Sequence, residues 1–394
     1  MKINENFDNL AESYLFSDIA KRRREYQKKH PEAKIISLGI GDVSLPFPKV
    51  IVDALVSSSL EMGCKETFRG YPPEYGYEFL KDAIVKYYLD HKCALKNNEV
   101  FVSDGAKSDL GNLIDILGEM DALIPDPVYP VYVDSNLMCG RKVIYLNGNK
   151  ENGFLPLPDG VEEKEYIIYL CSPNNPTGAV YNKEQLSKWV DFAIKTKSLI
   201  VFDAAYEAFI NGDYPRSIYE VEGSRKCAIE ICSFSKLAGF TGLRCSWMIV
   251  PEELEEGKIN KIWSRRQATK FNGVAYPVQR AAEKALSDEG LNACRDNIKQ
   301  YLDNAKIIAE VLKKHDIWYT GGTSSPYIWM KCPKSMKSFE FFDFLLENAN
   351  IIGTPGSGFG KNGEGYFRLT AFATKEDTIE ASTRLDAALN KLLK

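Results

Sequence analysis

The sequence predicts an α/β fold: a mixed, mostly parallel seven-stranded sheet between helices, followed by a smaller α/β domain. Three observations predict it. Seven short, mostly apolar runs, at 100–103, 122–124, 143–146, 167–171, 199–202, 227–232 and 247–250, are candidates for strands buried on both faces. Amphipathic helical patterns lie between several of them, at 107–117, 183–195 and 252–264. Past residue 276 the pattern changes to two long helices, 277–286 and 291–314.

Taken in order, the first 45 residues hold one helix, 18–29, then a strand, 35–38, and the turn GIGDVSLPFP. The basic run KRRREYQKKH at 21–30 reads as a solvated helix face. The strand–helix alternation follows. The last part reads strand 327–331, helix 339–348, strand 366–369 and helix 375–393. These changes divide the chain into an N-terminal arm (1–45) joining the small domain, a large domain (46–276) and a small C-terminal domain (277–394). The length, 394 residues, suggests two or three domains at roughly 150 residues each.

Composition narrows the chemistry. With 50 Lys+Arg against 54 Asp+Glu, the net charge of −4 argues against general nucleic-acid binding. The three histidines, His30, His91 and His315, are far apart and lack a second His or Cys at ligand spacing, so neither zinc nor a His-based triad is expected. Nine cysteines without a C-x-x-C fit reduced thiols in a cytoplasmic protein. No uncharged apolar run approaches the roughly 20 residues of a membrane helix, and the first residues lack an apolar signal core. The chemistry must come from other residues.

The richest segment is SFSKLAGFTGLR, 233–244, after a strand. Lys236 sits among Ser233, Ser235 and Gly239, in a small-residue loop that a cofactor could approach closely. An ordinary lysine is only about 0.04 % unprotonated at pH 7. Enzymes overcome this by desolvation, by nearby cations, or by holding the lysine as a Schiff base to pyridoxal phosphate. Arg244 follows eight positions later, where a loop can return it to a phosphate held by the serines. At the end of the run 167–171 stands SPNNPTG, where Asn175 is either a plain turn residue or a donor to a phenolate oxygen. Asp203 ends another apolar run, with Tyr206 three residues on. It either caps a loop or pairs with a cation, for which a pyridinium nitrogen would serve.

Upstream, VFVSDGAKSD runs strand, glycine turn, helix, and the free N–H groups at Gly105, Ala106 and Lys107 suit a phosphate. Tyr129 in DPVYPVY offers a plate for stacking a ring, and RGYPPEYG supplies Tyr71 and Glu74. Arg368, in GEGYFRLTAF, is either a solvated strand residue or a bidentate carboxylate ligand.

Together these motifs resemble the fold-type-I pyridoxal-phosphate aminotransferases over essentially the whole length. The carrying stretches are SYLFSDIAKR, ISLGIGD, RGYPPEYG, SDGAKSDL, CSPNNPTGAV, VFDAAYEAFI, SFSKLAGFTGLR, TKFNG and GTPGSGFGKNGEGYFRLTAF. The resemblance implies pyridoxal 5′-phosphate as cofactor, no metal, and Lys236 as the residue that bonds it and moves the proton between Cα and C4′. Asp203 would pair with the ring nitrogen, Tyr206 and Asn175 would hydrogen-bond the phenolate oxygen, and Tyr129 would stack. Ala106, Lys107, Ser233, Ser235 and Arg244 would hold the phosphate, with Tyr71 from a neighbouring subunit, which implies a homodimer. Arg368 would clamp the α-carboxylate.

Within the superfamily, Phe271-Asn272-Gly273 and the 353–372 stretch resemble the branch acting on diaminopimelate. That branch reads the far end of its substrate with residues matching Tyr14, Gly41, Glu74, Lys107 and Asn272 here. The implied reaction is reversible transamination between LL-2,6-diaminopimelate and 2-oxoglutarate, giving tetrahydrodipicolinate and glutamate. The segment VAYPVQ after FNG departs from that branch. The same frame also serves aspartate, aromatic and alanine aminotransferases and β- or γ-lyases, which remain the alternatives.

Overall fold

The computed structural model describes residues 1–11, 15–39 and 41–394. Helix α1 (Leu15–Lys29) and a two-residue strand, β1 (Ile36–Ser37), precede helices α2 (Lys49–Glu61) and α3 (Glu78–Asp90). The main sheet follows: β2 (Val100–Ser103), β3 (Asp121–Asp126), β4 (Val143–Asn147), β5 (Tyr166–Cys171), β6 (Leu199–Asp203), β7 (Ala228–Ser233) and β8 (Ser246–Ile249). Its spatial order is β2-β8-β7-β6-β5-β3-β4, and β8 alone runs antiparallel to its neighbours. Between and after these strands come α4 (Ala106–Leu113), α5 (Pro130–Met138), α6 (Lys183–Thr196), α7 (Phe234–Leu237), α8 (Lys258–Lys270) and α9 (Tyr276–Ala285).

The long helix α10 (Asp288–Lys314) leads to β9 (Tyr319–Gly321), β10 (Tyr327–Lys331), α11 (Ser338–Ala349), β11 (Ile351–Ile352), β12 (Thr354–Pro355), β13 (Tyr366–Thr370) and α12 (Lys375–Leu393). Four of these strands form an antiparallel sheet in the order β12-β13-β10-β9. Strand β11 pairs instead with β1, Ile36 opposite Ile351, so the N-terminal segment is stitched to the C-terminal layer.

The central strands are mostly apolar because both sheet faces are covered, Glu230 in β7 being a buried exception. Along β5, Ile168 and Leu170 enter one core, while Ile167, Tyr169 and Cys171 enter the opposite one. That is the two-residue period of a strand. A third core joins α1, β1 and α10 to the small sheet through Leu15, Ile36, Ile308 and Trp329. A fourth, small cluster of Tyr206, Phe209, Ile298, Tyr301, Tyr327 and Phe372 fills the space between the two sheets. Each fully buried side chain of this kind contributes roughly 1.5–3 kcal/mol.

All seven predicted strands are present, their ends displaced by one or two residues at most. Helix 107–117 ends earlier, at Leu113, and passes into a 3-10 turn, Ile114–Ile116. The helix predicted over 252–264 is shifted to Lys258–Lys270, because Glu255, Glu256 and Gly257 all have positive φ and break the first turn. Helices α2, α3 and α5 were not foreseen. In α2 the apolar stripe Val52, Val56 and Leu60 faces outward, so hydrophobic periodicity does not mark a single buried face. The basic face of α1 is exposed, as predicted, and Arg22 pairs with Asp343 at 2.8 Å.

Candidate active site

In a parallel sheet every strand delivers its C-terminal end to one edge. Here that edge collects Ser103, Cys171, Asp203 and Ser233, the last residues of β2, β5, β6 and β7. A cleft of about 410 Å³ opens above them, roofed by Tyr327 and Arg368 of the small sheet. Of the residues predicted from sequence, it brings together Gly41, Ala106, Lys107, Tyr129, Asn175, Asp203, Tyr206, Ser233, Ser235, Lys236, Arg244 and Arg368.

One end of the cleft is built for an anion. Helix α4 begins after Gly105, whose φ of +147° favours glycine. A Cβ at Gly105 would stand 2.0 Å from Nη2 of Arg244, so the missing side chain is what lets the guanidinium lie against the helix start. Ser233 faces the same end and caps α7, its hydroxyl accepting from the N–H of Ser235 at 3.1 Å. Positive side chain, helix N-terminus and hydroxyls converge there.

The floor carries a carboxylate. Asp203 is 5 % exposed; Oδ2 accepts the Tyr132 hydroxyl at 2.6 Å and Oδ1 the N–H of Ala205 at 3.0 Å. Burial raises its pKa above the usual carboxylate value, against the lowering effect of those two donors. None of the ion pairs among the described residues involves Asp203. A buried carboxylate in this state favours a cationic partner in the cleft, since the penalty for an uncompensated buried charge is several kcal/mol.

Lys236 sits in the one-turn helix α7, half-buried, with Nζ donating to the carbonyl of Gly41 and lying 5.1 Å from the ring centroid of Phe372. Burial, first, pushes its pKa down to about 8; Asp42 opposes this, and the cations Arg368 and Arg244 add to it. At a pKa of 8 about a tenth of the amine is neutral at pH 7, some hundreds of times more than for a free lysine.

Arg368 is 1 % exposed on β13. Nη1 donates to Asn175 Oδ1 at 2.6 Å, and Nη2 to the carbonyl of Gly39 at 2.6 Å and to Thr354 Oγ1 at 3.3 Å. Its Nε is buried without a hydrogen-bond partner among the described residues. No carboxylate among the described residues pairs with it. A buried guanidinium supported only by neutral oxygens and aromatic faces is prepared for an incoming anion.

The floor carboxylate, the depressed lysine and the anion cradle are the donor set that a pyridoxal phosphate requires. The model for "Aminotransferase class I and II" matches residues 33–385. The chain belongs to the class I and II aminotransferases. Among relatives of this aminotransferase, the LL-diaminopimelate aminotransferase of Agathobacter rectalis is 50 % identical, covering 98 % of this chain and 99 % of its own. The Bacteroides fragilis protein of the same name is 49 % identical over 97 % and 98 % of the two chains. In three dimensions, the L,L-diaminopimelate aminotransferase from Chlamydomonas reinhardtii superposes with a TM-score of 0.93 at 39 % identity, covering 98 % of each chain.

Three predicted residues of this aminotransferase lie outside the cleft of a single chain. Tyr71 is 88 % exposed, Asn272 is exposed and Glu74 is half-buried. Their two loops are locked together: Gly273 packs so closely on Pro73 that a Cβ would come within 2.6 Å of its carbonyl oxygen. Tyr14 lies outside the described residues.

Other residues of the aminotransferase site escaped sequence reasoning. Tyr132 supports Asp203 from α5, and Tyr327 contacts Tyr206 and Arg368 from β10. The stretch DPVYPVY held a signal for Tyr132, since a second tyrosine three residues after Tyr129 shares its helix face. Asp109, buried beneath the anion cradle, accepts from Ser103 at 2.6 Å and Ser246 at 2.9 Å; burial pushes its pKa up to about 7. No motif distinguishes Tyr327 and Asp109 from core residues.

Proposed function

We propose that this aminotransferase catalyses reversible transamination between LL-2,6-diaminopimelate and 2-oxoglutarate, giving tetrahydrodipicolinate and glutamate, a step in making lysine. The observation that carries the substrate is the likeness, at 50 % identity over nearly the whole of both chains, to proteins named for that amino acid.

Pyridoxal 5′-phosphate, when bound, supplies an electron sink for negative charge at the substrate Cα. The protein's part follows from its own groups. Ala106 and Lys107 at the start of α4, Ser233, Ser235 and Arg244 bind the phosphate. Asp203, supported by Tyr132, keeps the ring nitrogen protonated. Tyr206 and Asn175 would hydrogen-bond the phenolate oxygen, and Tyr129 would stack on the ring. Lys236 would hold the cofactor, and its amine, with a pKa of about 8, would suit taking the Cα proton near neutral pH. Arg368 receives the α-carboxylate in exchange for desolvated neutral contacts.

Recognition of the distal amino-acid head would fall to Tyr14, Gly41, Glu74, Lys107 and Asn272, with Tyr71, Glu74 and Asn272 supplied by the second subunit of a homodimer. The exposed position of Tyr71 and the outward stripe Val52, Val56 and Leu60 on α2 support that arrangement, because association would bury both. The division into arm (1–45), large domain (46–276) and small domain (277–394) is supported by the two separate sheets and the β1–β11 pairing, although Ala281, Ala282 and Ala285 of α9 pack into the main-sheet core. A cytoplasmic location suits nine free thiols, seven of them buried.

The test is incubation of the purified protein with LL-diaminopimelate and 2-oxoglutarate. Glutamate and the cyclised product are expected in equal amounts. Absence of both, with activity toward aspartate or an aromatic amino acid instead, overturns the substrate assignment.

A further inference from the structure

Tyr327 begins β10, on the same small sheet as Arg368, and is 1 % exposed. Its hydroxyl stands 2.5 Å from that of Tyr206, so a phenol pair bridges the small sheet to the loop after β6. The guanidinium carbon of Arg368 lies 4.5 Å from its ring centroid. The hydroxyl also fills the space beside Gly41, where a Cβ would come within 2.7 Å of it. Its ring edge meets Phe372, the ring that Lys236 Nζ faces.

A phenol has one proton to donate and lone pairs to accept. In the Tyr206–Tyr327 pair only one hydroxyl donates to the other. If Tyr206 donates to Tyr327, its proton is lost to the cleft. If Tyr327 donates, the Tyr206 proton is free to point at an acceptor there. The ring of Tyr327 plays a separate part: an arginine without an acidic partner gains from an aromatic face about what one hydrogen bond contributes.

We propose that Tyr327 is a positioning residue for both halves of the site: its hydroxyl turns the Tyr206 O–H into the cleft, and its ring face holds the Arg368 guanidinium at the carboxylate subsite. The inference rests on the proposed reading, in which Tyr206 meets the cofactor and Arg368 the substrate.

The two roles separate by substitution in the holoenzyme. Tyr327→Phe keeps the ring and removes the hydroxyl. It should lower kcat about five-fold, leave KM for the amino acid within about two-fold, and shift the visible band of the bound cofactor. Combined with Tyr206→Phe it should add nothing further. Tyr327→Leu removes the ring as well and should also raise KM for both substrates about ten-fold. Calorimetry of 2-oxoglutarate binding to the cofactor-free protein gives a readout without turnover: Tyr327→Phe binds like the parent and Tyr327→Leu about ten-fold more weakly. Tyr327→Met, similar to leucine but more adaptable, serves if the leucine variant does not fold.

An unchanged kcat and visible band in Tyr327→Phe, or an effect fully additive with Tyr206→Phe, overturns the hydroxyl role. Unchanged KM and 2-oxoglutarate affinity in the leucine or methionine variant overturns the ring role. A parent enzyme inactive on diaminopimelate refutes the substrate reading instead, whereas an active parent with silent variants refutes this inference alone.

Discussion

Arg368 on β13 donates a 2.6 Å hydrogen bond to the side-chain oxygen of Asn175, in the turn that follows β5. This contact ties the small sheet to the C-terminal edge of the main sheet, and among the described residues no acidic side chain pairs with the guanidinium. Replacing Arg368 by alanine should therefore lower kcat/KM for amino-acid substrates at least about a hundred-fold, the equivalent of two charge-assisted hydrogen bonds. Arg368→Lys should restore little, because an ammonium cannot reproduce the planar fork. Steady-state kinetics with the visible cofactor band as a folding control decides this.

Gly105 and Arg244 form a second dependent pair. Gly105→Ala places a side chain at φ +147° and drives it into the guanidinium. The strain costs about 1–3 kcal/mol, and displacing Arg244 should weaken cofactor binding by about ten-fold or more. Equilibrium dialysis of pyridoxal phosphate measures it; parent-like affinity would remove Arg244 from the phosphate site.

The pKa of Lys236 carries a sign. In the cofactor-free protein it is pushed down to about 8, below the 10.5 of an ordinary lysine. Between these values the unfolded chain binds more protons, so this group makes stability rise with pH from about 8 to 10.5. Thermal melts of the apo protein across that window should show the rise, and Lys236→Met should flatten it. Lys236→Ala should abolish the visible band at any pH.

Tyr132→Phe removes the hydroxyl that donates to Asp203 at 2.6 Å. A hydrogen bond to a charged group is worth about 1.5–3 kcal/mol, so cofactor affinity should fall about ten-fold or more. Near-UV circular dichroism should remain native.

Asn362 clamps the loop before β13 to the edge of the main sheet: its Nδ2 donates to Asn147 Oδ1 at 2.7 Å and to the carbonyl of Gly148 at 3.1 Å. That loop carries Phe359, whose ring centroid is 4.8 Å from the Arg368 guanidinium carbon. Asn362→Ala should raise substrate KM a few-fold with the cofactor band unchanged, and a changed band with normal KM would contradict it.

The sequence by itself determined a good deal. Mostly apolar runs marked every strand of the main sheet, because burial on both faces of the central strands leaves few polar positions, Glu230 in β7 among them, to blur them. Lys236, Asn175 and Arg244 were legible because each stands near a glycine, proline or serine turn, and Asp203 because it is a carboxylate that ends an apolar run. Helices α2 and α5 were not, since Val52, Val56 and Leu60 face outward and α5 is short and rich in valine and tyrosine.

Only the tertiary structure decided the surroundings of those residues. Tyr132 and Asp203 are 71 positions apart, Tyr206 and Tyr327 are 121, and Asn175 and Arg368 are 193. Tyrosine on an apolar stretch looks the same in sequence whether it fills a core or holds a catalytic group. Burial also sets the charges: the same lysine and carboxylate titrate ordinarily in water, and their pKa values move because the packed sheets exclude it.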